Sequence, residues 1–320
     1  MNHKDLAEKR YLDMLETACG REIMRLLNDD SVIEIMLNPD GHLFVERLNL
    51  GKKPTGVILP ATQSENIIKL VASYKNQVVH EGSPMIATEI PFLGARFQGW
   101  LPPIAKQPTF AIRKRATHIF TLDHYVKNGA LPEEMANFLK EAVLDRKNIL
   151  IAGGTASGKT TFANALLDVL SGSTDRMIVL EDLPELQIAC DDVVMLGTTD
   201  IINMRDLVKG TLRMRPDRII MGEVRDGAAL ELLKSWNTGH PGGICTIHAN
   251  SLESTPYRVE DLIREVVMSI PHNLILQAID LIIFIERDKN GLRKVSEIGE
   301  LSGFNQNRYE THLLYKNKQV

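Results

Sequence analysis

The run Gly153-Gly154-Thr155-Ala156-Ser157-Gly158-Lys159-Thr160 fits the spacing GxxxxGK[ST] in full. Small residues let the backbone wrap closely, so that successive N–H groups point inward at phosphate oxygens. Lys159 can reach the β- and γ-phosphates of ATP, and the Thr160 hydroxyl can ligate Mg²⁺, with Thr161 following in the same turn. The context agrees with this chemistry. Asn148–Ala152 is an apolar strand, and Thr160–Leu170 reads as a helix whose positive end faces the bound anion.

A phosphate loop alone does not separate a hydrolase from a nucleotide kinase, but three later segments point to hydrolysis. In Ile178-Val179-Leu180-Glu181-Asp182-Leu183-Pro184-Glu185, carboxylates leave the end of a buried strand, where ligands of open α/β sheets sit. In Arg213-Met214-Arg215-Pro216-Asp217-Arg218-Ile219-Ile220-Met221-Gly222-Glu223-Val224-Arg225, an apolar strand ends on Gly222-Glu223. This is like a Walker B strand with glycine at the usual aspartate position, so Glu223 must hold the metal-bound water or act as base. Thr238-Gly239-His240-Pro241-Gly242-Gly243-Ile244-Cys245-Thr246-Ile247-His248 leads through glycines to a strand ending on His248, which can sense the γ-phosphate. Glu181 and Glu223 are not ranked as base by these patterns. The two histidines lack the spacing of a zinc site.

The elements that must position these groups fall into two sets. Residues 1–117 read as an α+β domain: amphipathic helix over 1–30, a hairpin around Asn38–Gly41, a helix over Thr62–Tyr74, then strands between 85 and 113 broken by Gly94, Gly99 and Pro102-Pro103. Residues 118–132 read as a linker or hinge. From 133 to 320, short apolar runs (Met177–Leu180, Val193–Leu196, Arg218–Met221, Ile244–Ile247) alternate with helical patterns, which predicts a parallel sheet covered on both faces. A hairpin around Asp288–Gly291 and a last strand close the chain.

Composition limits the partners. The chain has 320 residues, 44% hydrophobic and 24% charged, with a formal net charge of −4. Residues 1–130 hold 16 Lys and Arg against 14 Asp and Glu, too small an excess for a strong nucleic-acid groove, and no stable nucleic-acid binding is expected. The three cysteines are far apart, which suits a reducing compartment. No apolar run approaches the ~20 residues of a membrane-spanning helix. The expectation is a cytoplasmic protein, with peripheral attachment to a membrane machine left open.

Together the phosphate loop, the acidic box Glu181–Glu185, the MRPDRIIMGEVR stretch and the box TGHPGGICTIHAN resemble the secretion-superfamily ATPases of type II and type IV secretion and of pilus machines. The glycine in place of the Walker B aspartate is itself a mark of that family. The resemblance continues through IEIMLNPDGHLFVE and FLGARFQGWLPP, and is strongest to the type IV secretion and conjugation branch. It implies an α/β chain with a RecA-like, parallel-sheet P-loop ATPase domain behind a smaller α+β N-terminal domain, assembled as a homohexamer. Arg113 and Arg96 match family arginines that reach the phosphates. Implied partners are the inner-membrane components of a secretion or conjugation channel. A type IV pilus motor and a DNA-stimulated translocase are the alternatives.

Overall fold

The structure is a computed structural model and describes residues 3–47, 50–115, 119–199, 201–287 and 292–317. Contacts divide the chain into two units, Met1–Thr117 and His118–Val320.

In the first unit α1 (His3–Leu27) is interrupted at Gly20, where φ 71° and ψ 174° leave the helical region. A glycine takes that φ at no steric cost. The strands are β1 (Val32–Leu37), β2 (His42–Arg47), β3 (Gly51–Ile58), β4 (Met85–Ile90), β5 (Ala95–Trp100) and β6 (Thr109–Arg113), with α2 (Ala61–Tyr74) between β3 and β4. They form one antiparallel sheet in the order β3-β2-β1-β6-β5-β4. The β1–β2 turn is the expected one: Asp40 Oδ1 accepts from His42 N at 3.0 Å, and Gly41 sits at φ 83°. β3 carries no strand signal in its sequence, GKKPTGVI. It survives as an edge strand, where Pro54 owes no ladder bond on its outer side. Leu15, Ile23 and Leu26 of α1 and Ile67, Ile68 and Val71 of α2 pack with Ile35, Phe97 and Ile112 of the sheet.

The second unit begins with α3 (Leu122–Lys127), α4 (Glu133–Leu144) and β7 (Ile149–Gly153), followed by α5 (Lys159–Asp168), β8 (Met177–Glu181), β9 (Val193–Gly197) and α6 (Met204–Thr211). It continues through β10 (Arg218–Val224), α7 (Ala228–Asn237), β11 (Ile244–His248), α8 (Thr255–Arg264), α9 (His272–Ala278), β12 (Leu281–Arg287), β13 (Arg293–Asn305) and β14 (Arg308–Lys316). Residues 118–132 are not a free-standing hinge. Thr121 caps α3, and Leu122 and Leu131 are buried in the core of this unit. The Asp288–Gly291 turn lies outside the described residues, although its two strands pair antiparallel as expected.

The sheet order is β14-β13-β12-β7-β11-β10-β8-β9. From β12 to β9 neighbours run parallel; β13 and β14 add an antiparallel edge. Side chains on β7 alternate between two cores. Leu150 and Ala152 face a layer with α6, α7, α8 and α9, while Ile149 and Ile151 face α3, α4 and α5. This explains the continuous apolar run in β7: both of its faces are covered. Parallel strands also bring their carboxyl ends to one edge, so Gly153, Glu181, Val224, His248 and Arg287 terminate together.

Candidate active site

The phosphate loop links β7 to α5. Gly153 pairs with His248 on one side and Ile285 on the other. A Cβ there would collide with the Ile285 carbonyl and crowd Ser157 Oγ, so glycine is required by packing as well as by the loop. Ala156 and Gly158 have φ of 58° and 99°, the turn that exposes the loop amides. Gly158 is the N-cap of α5 and offers no side-chain acceptor to the first-turn N–H groups. Those donors and the helix dipole form an anion site. Thr160 and Thr161 follow on the first turn. Gly154 and Thr155 are exposed at the leading edge, and Ser157 Oγ is buried with no hydrogen-bond partner among the described residues. An orphaned hydroxyl inside such a loop fits a bound phosphate.

Lys159 is buried, its Nζ donating to the carbonyls of Gly153 at 3.1 Å and Gly154 at 3.0 Å. The same Nζ lies 3.2 Å from His248 Nδ1, and His248 Nε2 lies 2.8 Å from Glu223 Oε1. An ammonium can only donate, so Nδ1 accepts and the proton sits on Nε2, which faces the carboxylate at ion-pair distance, although Glu223 Oε1 has no hydrogen-bond partner of good geometry among the described residues. That neutral tautomer agrees with the direction of the His248 pKa. Burial, then the Lys159 charge, push it below the ordinary imidazole value against the pull of Glu223. Arg225 completes the row, with Nε and Nη2 donating to Glu223 Oε2 at 2.8 and 2.5 Å and Nη1 3.4 Å from Asp182. Residues from four segments thus form one chain of contacts beside the loop.

Glu181 is buried at the end of β8, and its Oε1 accepts from the backbone N–H of Glu185 and of Leu186, both at 2.9 Å. The acidic box therefore folds back on its own first carboxylate. Gly222 explains itself here. A Cβ at that position would lie 3.0 Å from Glu181 Cγ and 3.1 Å from its Oε1. The space a Walker B aspartate would need is filled by Glu181, and Thr246 Oγ1 donates to the Gly222 carbonyl at 2.7 Å.

In the first unit, Arg96 and Arg113 are direct cross-strand partners on β5 and β6. Glu89 pairs with Arg96 and Glu34 with Arg113, so an acid–base–base–acid row crosses one face of the sheet. The Arg113 charge opposes the burial that raises the Glu34 pKa. Cross-strand partners sit close enough for two guanidinium groups to act on one anion.

His240 does not join the site. It lies in the segment before β11 and contacts the Ser235 carbonyl of α7 at 3.2 Å. Sequence spacing did not reveal Arg287, whose Nε donates to the Ala156 carbonyl at 3.0 Å, or Arg293, whose side chain packs over Gly158. Only the pairing of β12 with β7 brings them to the loop, and no local motif marks them.

This fold and site define the class: a two-unit phosphate-loop ATPase. The sequence profile of the type II/IV secretion system protein family matches residues 95–290. The chain is 46% identical over 303 residues to the probable conjugal transfer protein TrbB of Sinorhizobium fredii (strain NBRC 101917 / NGR234), covering 94% of this chain and 93% of that protein. It is 29% identical to the type IV secretion system protein VirB11 of Bartonella quintana (strain Toulouse), covering 86% and 90%. The X-ray structure of the Legionella pneumophila ATPase DotB matches the fold with a TM-score of 0.62 at 20% identity, covering 95% of this chain and 82% of that one. The chain belongs to the type II/IV secretion system protein family.

Proposed function

We propose that this protein hydrolyses ATP to drive conjugative DNA transfer through a type IV secretion channel and the biogenesis of its pilus, working as a homohexamer with a RecA-like second unit. The Lys159–His248–Glu223–Arg225 chain beside the phosphate loop supports the reading most directly. It ties the phosphate-binding lysine to a carboxylate positioned for a water, an arrangement a passive nucleotide scaffold does not need. Residues 153–161 hold the phosphates. Water attacks the γ-phosphorus, its proton passes to a carboxylate of the Glu181–Glu223 pair, and the bond to the bridging oxygen breaks toward ADP. His248, neutral, links the γ-phosphate lysine to Glu223 and so senses phosphate loss. Arg96 and Arg113 supply permanent charge to the transferring group.

The hard oxygens of Thr160 and Glu223 suit Mg²⁺. No cluster of three or more His, Cys, Asp or Glu side chains appears among the described residues, so most Mg²⁺ ligands would be phosphate and water. Mg²⁺ neutralises charge on the β- and γ-oxygens when bound. No described helix is long and apolar enough to cross a membrane, in keeping with a cytoplasmic motor that docks peripherally on inner-membrane channel components.

The test is ATP turnover across a dilution series, with mass in solution measured alongside, for wild type and Lys159→Ala. Turnover should rise with assembly to six-fold mass and fall ~10²-fold or more in the variant, as for loss of a preorganised transition-state charge. Turnover by a stable monomer would sink the ring mechanism; no turnover in any state would sink the enzyme.

A further inference from the structure

A cavity of about 540 Å³ opens beside the leading edge of the phosphate loop, lined by Gly154, Thr155, His248, Asn250, Arg258 and Asp261 among others. Arg258 stands out within it. The residue sits on α8, half-buried, and no ion pair or side-chain hydrogen bond holds its guanidinium among the described residues. The cations at the loop are engaged among the described residues: Lys159 on the Gly153 and Gly154 carbonyls and His248, Arg225 on Glu223 and Asp182, Arg287 on Ala156, and Arg293 also has a partner. Arg258 is close enough to His248 that its charge helps hold that imidazole neutral. A lone guanidinium in a concave site lined by exposed backbone and small polar groups suits a compact oxyanion.

Resting on the ATPase reading above, we propose that this cavity receives the inorganic phosphate after cleavage, with Arg258 as its anchoring cation. Hydrolysis joins the water oxygen to the γ-phosphorus, and the electron pair of the broken bond leaves with ADP. The freed phosphate is then no longer tethered, and the cavity lies next to the loop, beside His248. Asp261 carries the opposite charge at the same cavity, 3.8 Å from Arg264. Its repulsion keeps phosphate binding weak enough for release, and the imbalance between Arg258 and Asp261 sets the affinity.

Calorimetric titration of inorganic phosphate into the Mg²⁺-ADP-loaded protein tests this for wild type, Arg258→Gln, Arg258→Lys and Asp261→Asn. ATP turnover of the wild type and of Lys159→Ala is measured in parallel. Phosphate affinity should fall about tenfold in Arg258→Gln, the loss of one charge-assisted bond. It should fall less in Arg258→Lys and rise in Asp261→Asn, and the opposite sign in Asp261→Asn guards against general damage to the fold. Equal affinity in wild type and Arg258→Gln, or no phosphate binding by the wild type, overturns the proposal. Should turnover survive in that case, the ATPase reading stands and only this site is lost. A wild type without turnover removes the reading on which the site rests.

Discussion

Glu181 occupies the volume that an aspartate at position 222 would claim, which makes the glycine there a consequence of a neighbour rather than a lost ligand. Gly222→Ala should force the Glu181 carboxylate off its two backbone donors, at a cost of about 1–3 kcal/mol for overpacking a tight site. Chemical denaturation would measure the stability, and turnover should fall with it; a variant as stable and active as wild type would show that Glu181 has room to spare. Glu181→Gln and Glu223→Gln, compared in single turnover, identify which carboxylate takes the proton, and the lower rate assigns it. His248 gives a pH signature. Its folded pKa is depressed, so the unfolded chain binds its proton first as pH falls. The stability it contributes is whole above about 6.5, the usual imidazole value, and declines as pH drops from there through the folded value. His248→Gln should flatten that limb in thermal melts between pH 7 and 5. An unchanged profile would place the pH sensitivity elsewhere.

At the scale of elements, the site depends on how β7 and β11 start as much as on how they end. Asn148, buried just before β7, accepts from the N–H groups of Gly242 and Gly243 at 2.9 and 3.0 Å and so fixes the start of β11. Its own N–H donates to Asp280 ahead of β12. One residue, through its side chain and its backbone N–H, thereby ties together the starts of the three strands whose far ends carry Gly153, His248 and Arg287. Asn148→Ala strands two buried donors and should lose about 2–6 kcal/mol, at 1–3 for each unsatisfied group. Urea unfolding reads this, and a loss under 1 kcal/mol would mean water replaces the amide. Gly243 adds to the arrangement, because Trp236 packs where its Cβ would stand and donates to the Ile219 carbonyl at 3.1 Å.

For the whole molecule, each unit closes its own core, and the cysteines report on both. Burial alone pushes the Cys19 thiol of the first unit up to about 12, and burial first of all raises Cys245 of the second. Cys190 is only half-buried. Thiol labelling of the native protein at pH 8 should therefore modify Cys190 first, with Cys19 and Cys245 reacting only as their own units open. Mass spectrometry of peptides over a denaturant series would follow the two units separately; early labelling of Cys245 would contradict the packed β11.

The sequence by itself determined the phosphate loop, the carboxylates 181 and 223, His248, and the alternation of covered strands with helices, because each is written in consecutive residues. It also carried the first unit's hairpin, since Asn38–Gly41 encodes its own turn. Several features needed the tertiary structure. The stretch 118–132 is polar enough to read as a hinge, yet Leu122 and Leu131 bury it in the second unit. β3 forms despite its proline and glycines because β2 offers it an edge. His240 and His248 look equivalent along the chain, but His240 lies in the segment before β11 and His248 at its carboxyl end, and only that end meets the loop. The Lys159–His248–Glu223–Arg225 row, the Arg96–Arg113 pair and the approach of Arg287 to Ala156 all join distant segments. Such contacts are fixed by strand order and register, which residue types and spacing do not contain.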